Sequence, residues 1–106
     1  MNGWFYILIA AVFEVGWAIG LKYTDGLTKL WPSLGTIVAM LLSFWFLAQG
    51  TKTLPIGTAY GVWTGIGAIG TAVLGMILFQ ESKELIRIFC ILLIVSGVVG
   101  LKLVSN

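Results

Sequence analysis

Histidine is absent from this 106-residue sequence, cysteine occurs once, and only 9% of the residues are charged. Without histidine, the imidazole-bearing zinc sites and the Ser–His–Asp arrangement are excluded. The lone Cys90 excludes an internal disulfide. Six basic and four acidic side chains leave a net charge of +2 with no basic stripe, so no nucleic-acid surface is expected. No pairing of a nucleophile with a base is present either, which argues against an enzyme, and neither a metal nor a cofactor is expected.

What fills the sequence instead is apolar: 59% of it is hydrophobic. Soluble domains carry about 25% charged and about 45–50% apolar residues. A chain of this length and composition has too few polar side chains to cover a water-facing surface, so the lipid bilayer is its natural solvent. The few charges divide it into four runs, predicting spans at about 3–21, 33–50, 56–80 and 85–103 within a single domain, 1–106. A span needs about 20 apolar residues; the last run reaches that length from Leu85, with Arg87 extending its stem along the span to place its head at the interface. The connections are short, so neighbouring helices are antiparallel. The fold class predicted is all-α, with four transmembrane helices. Trp4, Tyr6, Tyr23 and Trp31 fall near span ends, as interfacial aromatics do.

The first run is not read as a secretory signal. It lacks a basic leading segment, holds a glutamate at its centre and exceeds the usual length of such a core. Orientation is weakly specified. Lys52 and Lys102 lie on the side of the termini, and Lys22, Lys29, Lys83 and Arg87 on the other. The positive-inside rule mildly favours termini outside, and a chain inserting both ways is equally compatible.

Glu14 is the one acidic residue within a span. It lies roughly 15 Å into the first helix at 1.5 Å per residue, near the middle of a hydrocarbon core about 30 Å thick. A charge there costs about 2.5–3.5 kcal/mol on insertion scales, which marks such residues as functional by default. The plainer reading, a protonated carboxyl gluing two helices, is weak because interhelical hydrogen bonds average about 0.6 kcal/mol. Ala10 and Ala18 leave room one turn either side, and Trp17 shares the face with an indole N–H. Met40 and Ser43 share a face of the second span. Tyr60, Trp63, Thr64 and Gly67 follow helical spacing in the third, where aromatics with polar tips need partners; ordinary helix packing is the alternative for Tyr60 and Trp63.

Gly57, Gly61 and Gly65 recur every four residues and permit close helix approach. Gly65, Gly67 and Gly70 cluster at mid-span, where glycine serves either close packing or a conformational hinge at Gly65 and Gly67. Cys90 and Gly97 are small residues one heptad apart in the fourth span and suit a helix–helix contact. Four short helices scarcely enclose a polar path, so a homodimer is expected.

Low dielectric disfavours the charged carboxylate, and an adjacent cation favours it. Proton and cation therefore compete for Glu14. A site open to one side at a time would turn that competition into proton-coupled antiport.

Phe13-Glu14-Val15-Gly16-Trp17-Ala18, Lys22-Tyr23-Thr24-Asp25-Gly26, Thr51-Lys52-Thr53-Leu54-Pro55-Ile56-Gly57-Thr58-Ala59-Tyr60 and Val62-Trp63-Thr64-Gly65-Ile66-Gly67-Ala68 carry a resemblance. Along its full length the chain resembles the small multidrug resistance family, and within it the guanidinium exporters. Trp17 and the stretch around Lys52 look specific to that subtype; quaternary-ammonium exporters usually have a small residue where Trp17 stands. The resemblance implies an antiparallel, dual-topology homodimer in the bacterial inner membrane that exchanges protons for guanidinium or small guanidinyl compounds. It implies that Glu14 binds substrate or proton, that Trp17 and Ser43 hydrogen-bond and orient the carboxylate, and that Tyr60 and Trp63 line the site. Cys90 departs from the glycine of some relatives, and Met40 stands where multidrug relatives use a tyrosine.

Guanidinium suits such a site, being planar, weakly hydrated and drawn to carboxylates and aromatic faces. The alternative within the family is an exporter of quaternary ammonium or aromatic cations, against which Trp17 speaks by narrowing the site. A structural membrane subunit with Glu14 as neutral glue is the alternative outside it. A channel lacks the expected ring of charges or carbonyl filter.

Overall fold

A computed structural model describes residues 2–104. The chain forms four α-helices: α1 (Gly3–Tyr23), α2 (Leu30–Gly50), α3 (Ile56–Leu78) and α4 (Leu85–Val104). All four are long and apolar enough to cross a membrane. The four apolar runs thus become four helices of membrane-spanning length, and the architecture is all-helical.

Local chemistry sets the ends. The Asn2 side chain accepts a hydrogen bond from the Phe5 N–H at 3.1 Å and caps α1. At the far end Thr24 organises the turn into α2. Its hydroxyl donates to the Leu21 carbonyl at 2.7 Å and accepts from the Leu27 N–H at 3.0 Å. Asp25, Gly26 and Leu27 all take positive φ there; glycine and aspartate tolerate this region, and Leu27 is carried into it by the bonds that Thr24 makes. Helix α2 begins before Pro32. That is possible because a proline in the first turn lacks an N–H that would have had no intrahelical partner. Pro55 caps α3, its carbonyl accepting from Ala59 N–H at 2.9 Å.

Helix α1 is the centre of the bundle, packed on both α2 and α3, while α2 and α3 touch each other only slightly. Close approach rests on small residues. A Cβ on Gly50 would run into the Ile7 side chain, and one on Gly20 into Thr36. The buried core is small: Ile7, Ala10 and Ala11 of α1 meet Ala59, Val62 and Trp63 of α3, with Leu54 closing one end. Among the described residues, the backbone of α4 approaches only α3. Val98 lies against Gly65 and Leu101 against Gly61 in that contact. No residue of α4 is buried within the chain. Large apolar side chains point outward on every helix, Leu85 at 87% and Trp31 at 78% exposure among them. Such a surface is stable in contact with hydrocarbon or another apolar helix.

Candidate functional site

Three helices meet at one buried hydroxyl. Ser43 of α2 is fully buried. Its Oγ donates to the Ala10 carbonyl of α1 at 2.7 Å and accepts from the Trp63 indole Nε1 of α3 at 3.0 Å. In a membrane interior an indole N–H needs a partner, and Ser43 supplies it. The bond fixes the Trp63 ring, which is 6% exposed, between the helices.

One turn beyond Ala10 stands Glu14, directed at α3. Its carboxylate rests over Gly67: a Cβ added there would overlap Oε1 and Cδ of Glu14. The residue is half-buried. Its Oε1 is buried and makes no hydrogen bond, and the same is true of the Trp17 Nε1. A free acceptor and a free donor are therefore held on one face of α1, facing a polar-poor interior.

Aromatic rings form the walls. Trp63 lies 5.5 Å from Tyr60 and 5.9 Å from Phe44, and Phe44 lies 6.4 Å from Trp17 in an edge-on arrangement. Phe44 thus links the two tryptophans. Tyr60 itself is 55% exposed, so it forms the outer rim. The arrangement offers a single carboxylate to a cation, with ring faces for a flat, delocalised charge.

The residues singled out by sequence come together unevenly. Glu14, Trp17, Ser43, Tyr60 and Trp63 occupy one region where α1, α2 and α3 meet. The contact implied between Ser43 and the carboxylate is not made here, because the hydroxyl proton goes to Ala10 and the accepted proton comes from Trp63. Trp17 likewise makes no hydrogen bond to Glu14. Gly65 and Gly67 lie within an unbroken α3, Gly65 against Val98 and Gly67 against Glu14. Cys90 and Gly97 are both exposed on α4. Two participants were not singled out from the sequence. Phe44 is adjacent to Ser43 and so lies about 100° away on the helix; only the position of α1 turns it toward Trp17. The Ala10 carbonyl leaves no mark in side-chain chemistry at all. An apolar groove of about 260 Å3 lies elsewhere, between α1, α3 and α4, and Glu14 does not line it.

Comparison with known proteins identifies the family of the chain. Residues 2–94 match the family described as Small Multidrug Resistance protein. The chain is 55% identical to the guanidinium exporter of Yersinia pseudotuberculosis over 102 residues, covering 96% of this chain and 98% of that one. It is 54% identical to the guanidinium exporter of Citrobacter freundii, covering 97% and 98%. Identity to the guanidinium exporter of Proteus vulgaris is 50%, over 96% and 98%. These relatives are named as exporters, not enzymes, and a multi-pass membrane protein is what four spanning helices provide. Family match, relatives and helices lead to one conclusion: the chain belongs to the small multidrug resistance family.

Proposed function

We propose that this protein exports guanidinium, and small guanidinyl compounds, in exchange for protons, with cation and proton competing for Glu14. The observation that carries this reading is the buried Glu14 Oε1 without a hydrogen-bond partner, seated over Gly67 and near the Trp17–Phe44–Trp63 rings. Guanidinium has only donors, so a site built for it must present acceptors, and a carboxylate presents them in the matching fork geometry. The names of the relatives point to the same substrate.

The chemistry follows from competition. A protonated Glu14 carries no charge and holds no cation. Loss of the proton creates the charge that the cation neutralises. Cation affinity therefore increases as pH rises and the carboxyl gives up its proton. When the site faces the more acidic side, protonation expels the cation. Facing the other side, the carboxylate releases its proton and takes up a cation. The Trp17 indole N–H, unbonded in this structure, is the donor left to orient the carboxylate as the site changes access, and Ser43 acts through Trp63, which it holds in place. Tyr60 and Trp63 line the path, and Gly65 and Gly67 let α3 bend as access alternates.

The working unit is an antiparallel, dual-topology homodimer in the bacterial inner membrane. Support comes from α4, which buries no residue within its own chain and presents Cys90 and Gly97 outward. The weak charge bias between the two membrane faces fits insertion in both orientations. Exchange of guanidinium for protons by purified protein in liposomes, with little response to tetraphenylphosphonium, is the expected result. Strong tetraphenylphosphonium transport without guanidinium transport would instead support the family's exporters of quaternary ammonium and aromatic cations.

A further inference from the structure

At the end of the bundle that carries the chain termini, the groove between α1, α3 and α4 has a volume of about 260 Å3. Leu8, Val62, Ile66 and Val99 are among its apolar walls, and Trp4 and Lys102 stand at its mouth. The Lys102 ammonium sits 4.3 Å from the centre of the Trp4 ring. Trp4 is in the first turn of α1 and Lys102 in the last turn of α4, which places both at headgroup depth. From there the groove runs inward as far as Ile66, about 15 Å into α3 at 1.5 Å per residue. That is about half of a 30 Å hydrocarbon core, the depth of one leaflet.

We propose that this groove is a binding site for an anionic phospholipid, with an acyl chain between α1, α3 and α4 and the phosphate on Lys102. The charge distribution favours an anionic head. Asp25, Glu81 and Glu84 all lie in the connections at the opposite end of the bundle, so among the described residues the formal charges at this end are Lys52 and Lys102. The indole face takes one side of the ammonium, while the remaining N–H groups stay available to phosphate oxygens. The walls offer no polar group to a substrate cation, and a cation would meet the lysine at the entrance. The proposal is independent of which substrate Glu14 binds.

Native mass spectrometry of the purified protein, in detergent with equal amounts of phosphatidylglycerol and phosphatidylcholine of identical chains, tests it. Phosphatidylglycerol should be retained roughly fivefold more, the preference that one lysine near a membrane surface confers. Lys102→Gln should equalise the two lipids, while Lys52→Gln, a cation outside the groove, should leave the preference intact. Val99→Trp, at an exposed position, should fill the groove and reduce retention of both lipids. Equal retention by the unaltered protein, a preference that survives Lys102→Gln, or one lost equally in Lys52→Gln would overturn the site. So would a Val99→Trp variant that retains lipid normally but loses its oligomeric state, which would give the groove to a second copy of the chain.

Discussion

Gly67 of α3 stands so close to Glu14 of α1 that a single added methyl group would occupy the space of the carboxylate. The glycine therefore does more than permit helix approach: it leaves the space that the Glu14 carboxylate occupies.

Gly67→Ala is the direct probe of that relationship. Overpacking of this kind costs about 1–3 kcal/mol; borne at the site, it should lower guanidinium exchange roughly fivefold or more, with insertion into the membrane retained. Uptake by proteoliposomes reads the first and membrane-fraction abundance the second. If Gly67 acts only as a hinge, Gly65→Ala should be as damaging to exchange. If clearance dominates, Gly65→Ala should chiefly loosen α4, since its neighbour is Val98.

A built-in comparison exists at Gly75, where an added Cβ would likewise meet a carboxylate, that of Glu81. Glu81 is exposed and joined to Arg87 by a salt bridge of 2.7 Å. It can move aside, and exposed ion pairs contribute only about 0–1 kcal/mol. Gly75→Ala should therefore leave exchange rates close to those of the unaltered protein. Equal losses from the substitutions at Gly67 and Gly75 would point to general helix packing, not to the carboxylate at Glu14.

Ser43→Ala removes the acceptor of the Trp63 indole and orphans a donor in a water-poor interior. Trp63→Phe removes the donor itself and leaves Ser43 bonded to Ala10. A double-mutant cycle on unfolding in detergent should give a coupling of about 0.6 kcal/mol, typical of interhelical hydrogen bonds in membranes. Ser43→Ala should also raise the KM for guanidinium, because Trp63 is no longer held against Phe44. A cycle with zero coupling and an unchanged KM would remove Ser43 from the site.

Gly97→Leu tests the role of α4. A bulky side chain on the outward face should shift the proposed dimer toward monomer in detergent and reduce exchange in parallel. Cross-linking yield and light scattering measure the first. An intact dimer would move the contact away from Gly97.

The spans could be read directly because an apolar run with few charges, long enough to cross a bilayer, has few alternatives. Glu14 was equally legible, since a carboxylate at mid-span is costly and needs a reason. Spacing also placed Trp17 on the same helical face as Glu14, and Tyr60 on the same face as Trp63. Periodicity specifies the face of one helix, however, and not the neighbour it meets. Hence Gly67 read as a hinge or packing glycine, and Phe44 was not singled out. The bond from Ser43 to Ala10 depends on a backbone carbonyl, which every residue has and no side-chain pattern marks.

The central claim is that one carboxylate, Glu14, is shared in turn by a proton and a guanidinium ion. Guanidinium exchange in proteoliposomes, measured at two pH values on the unaltered protein and on Glu14→Gln, tests it most directly. Apparent affinity should be higher at the higher pH in the unaltered protein, and Glu14→Gln should lose proton-coupled exchange entirely. A pH-independent affinity, or a Glu14→Gln variant that still drives guanidinium against a proton gradient, would contradict it.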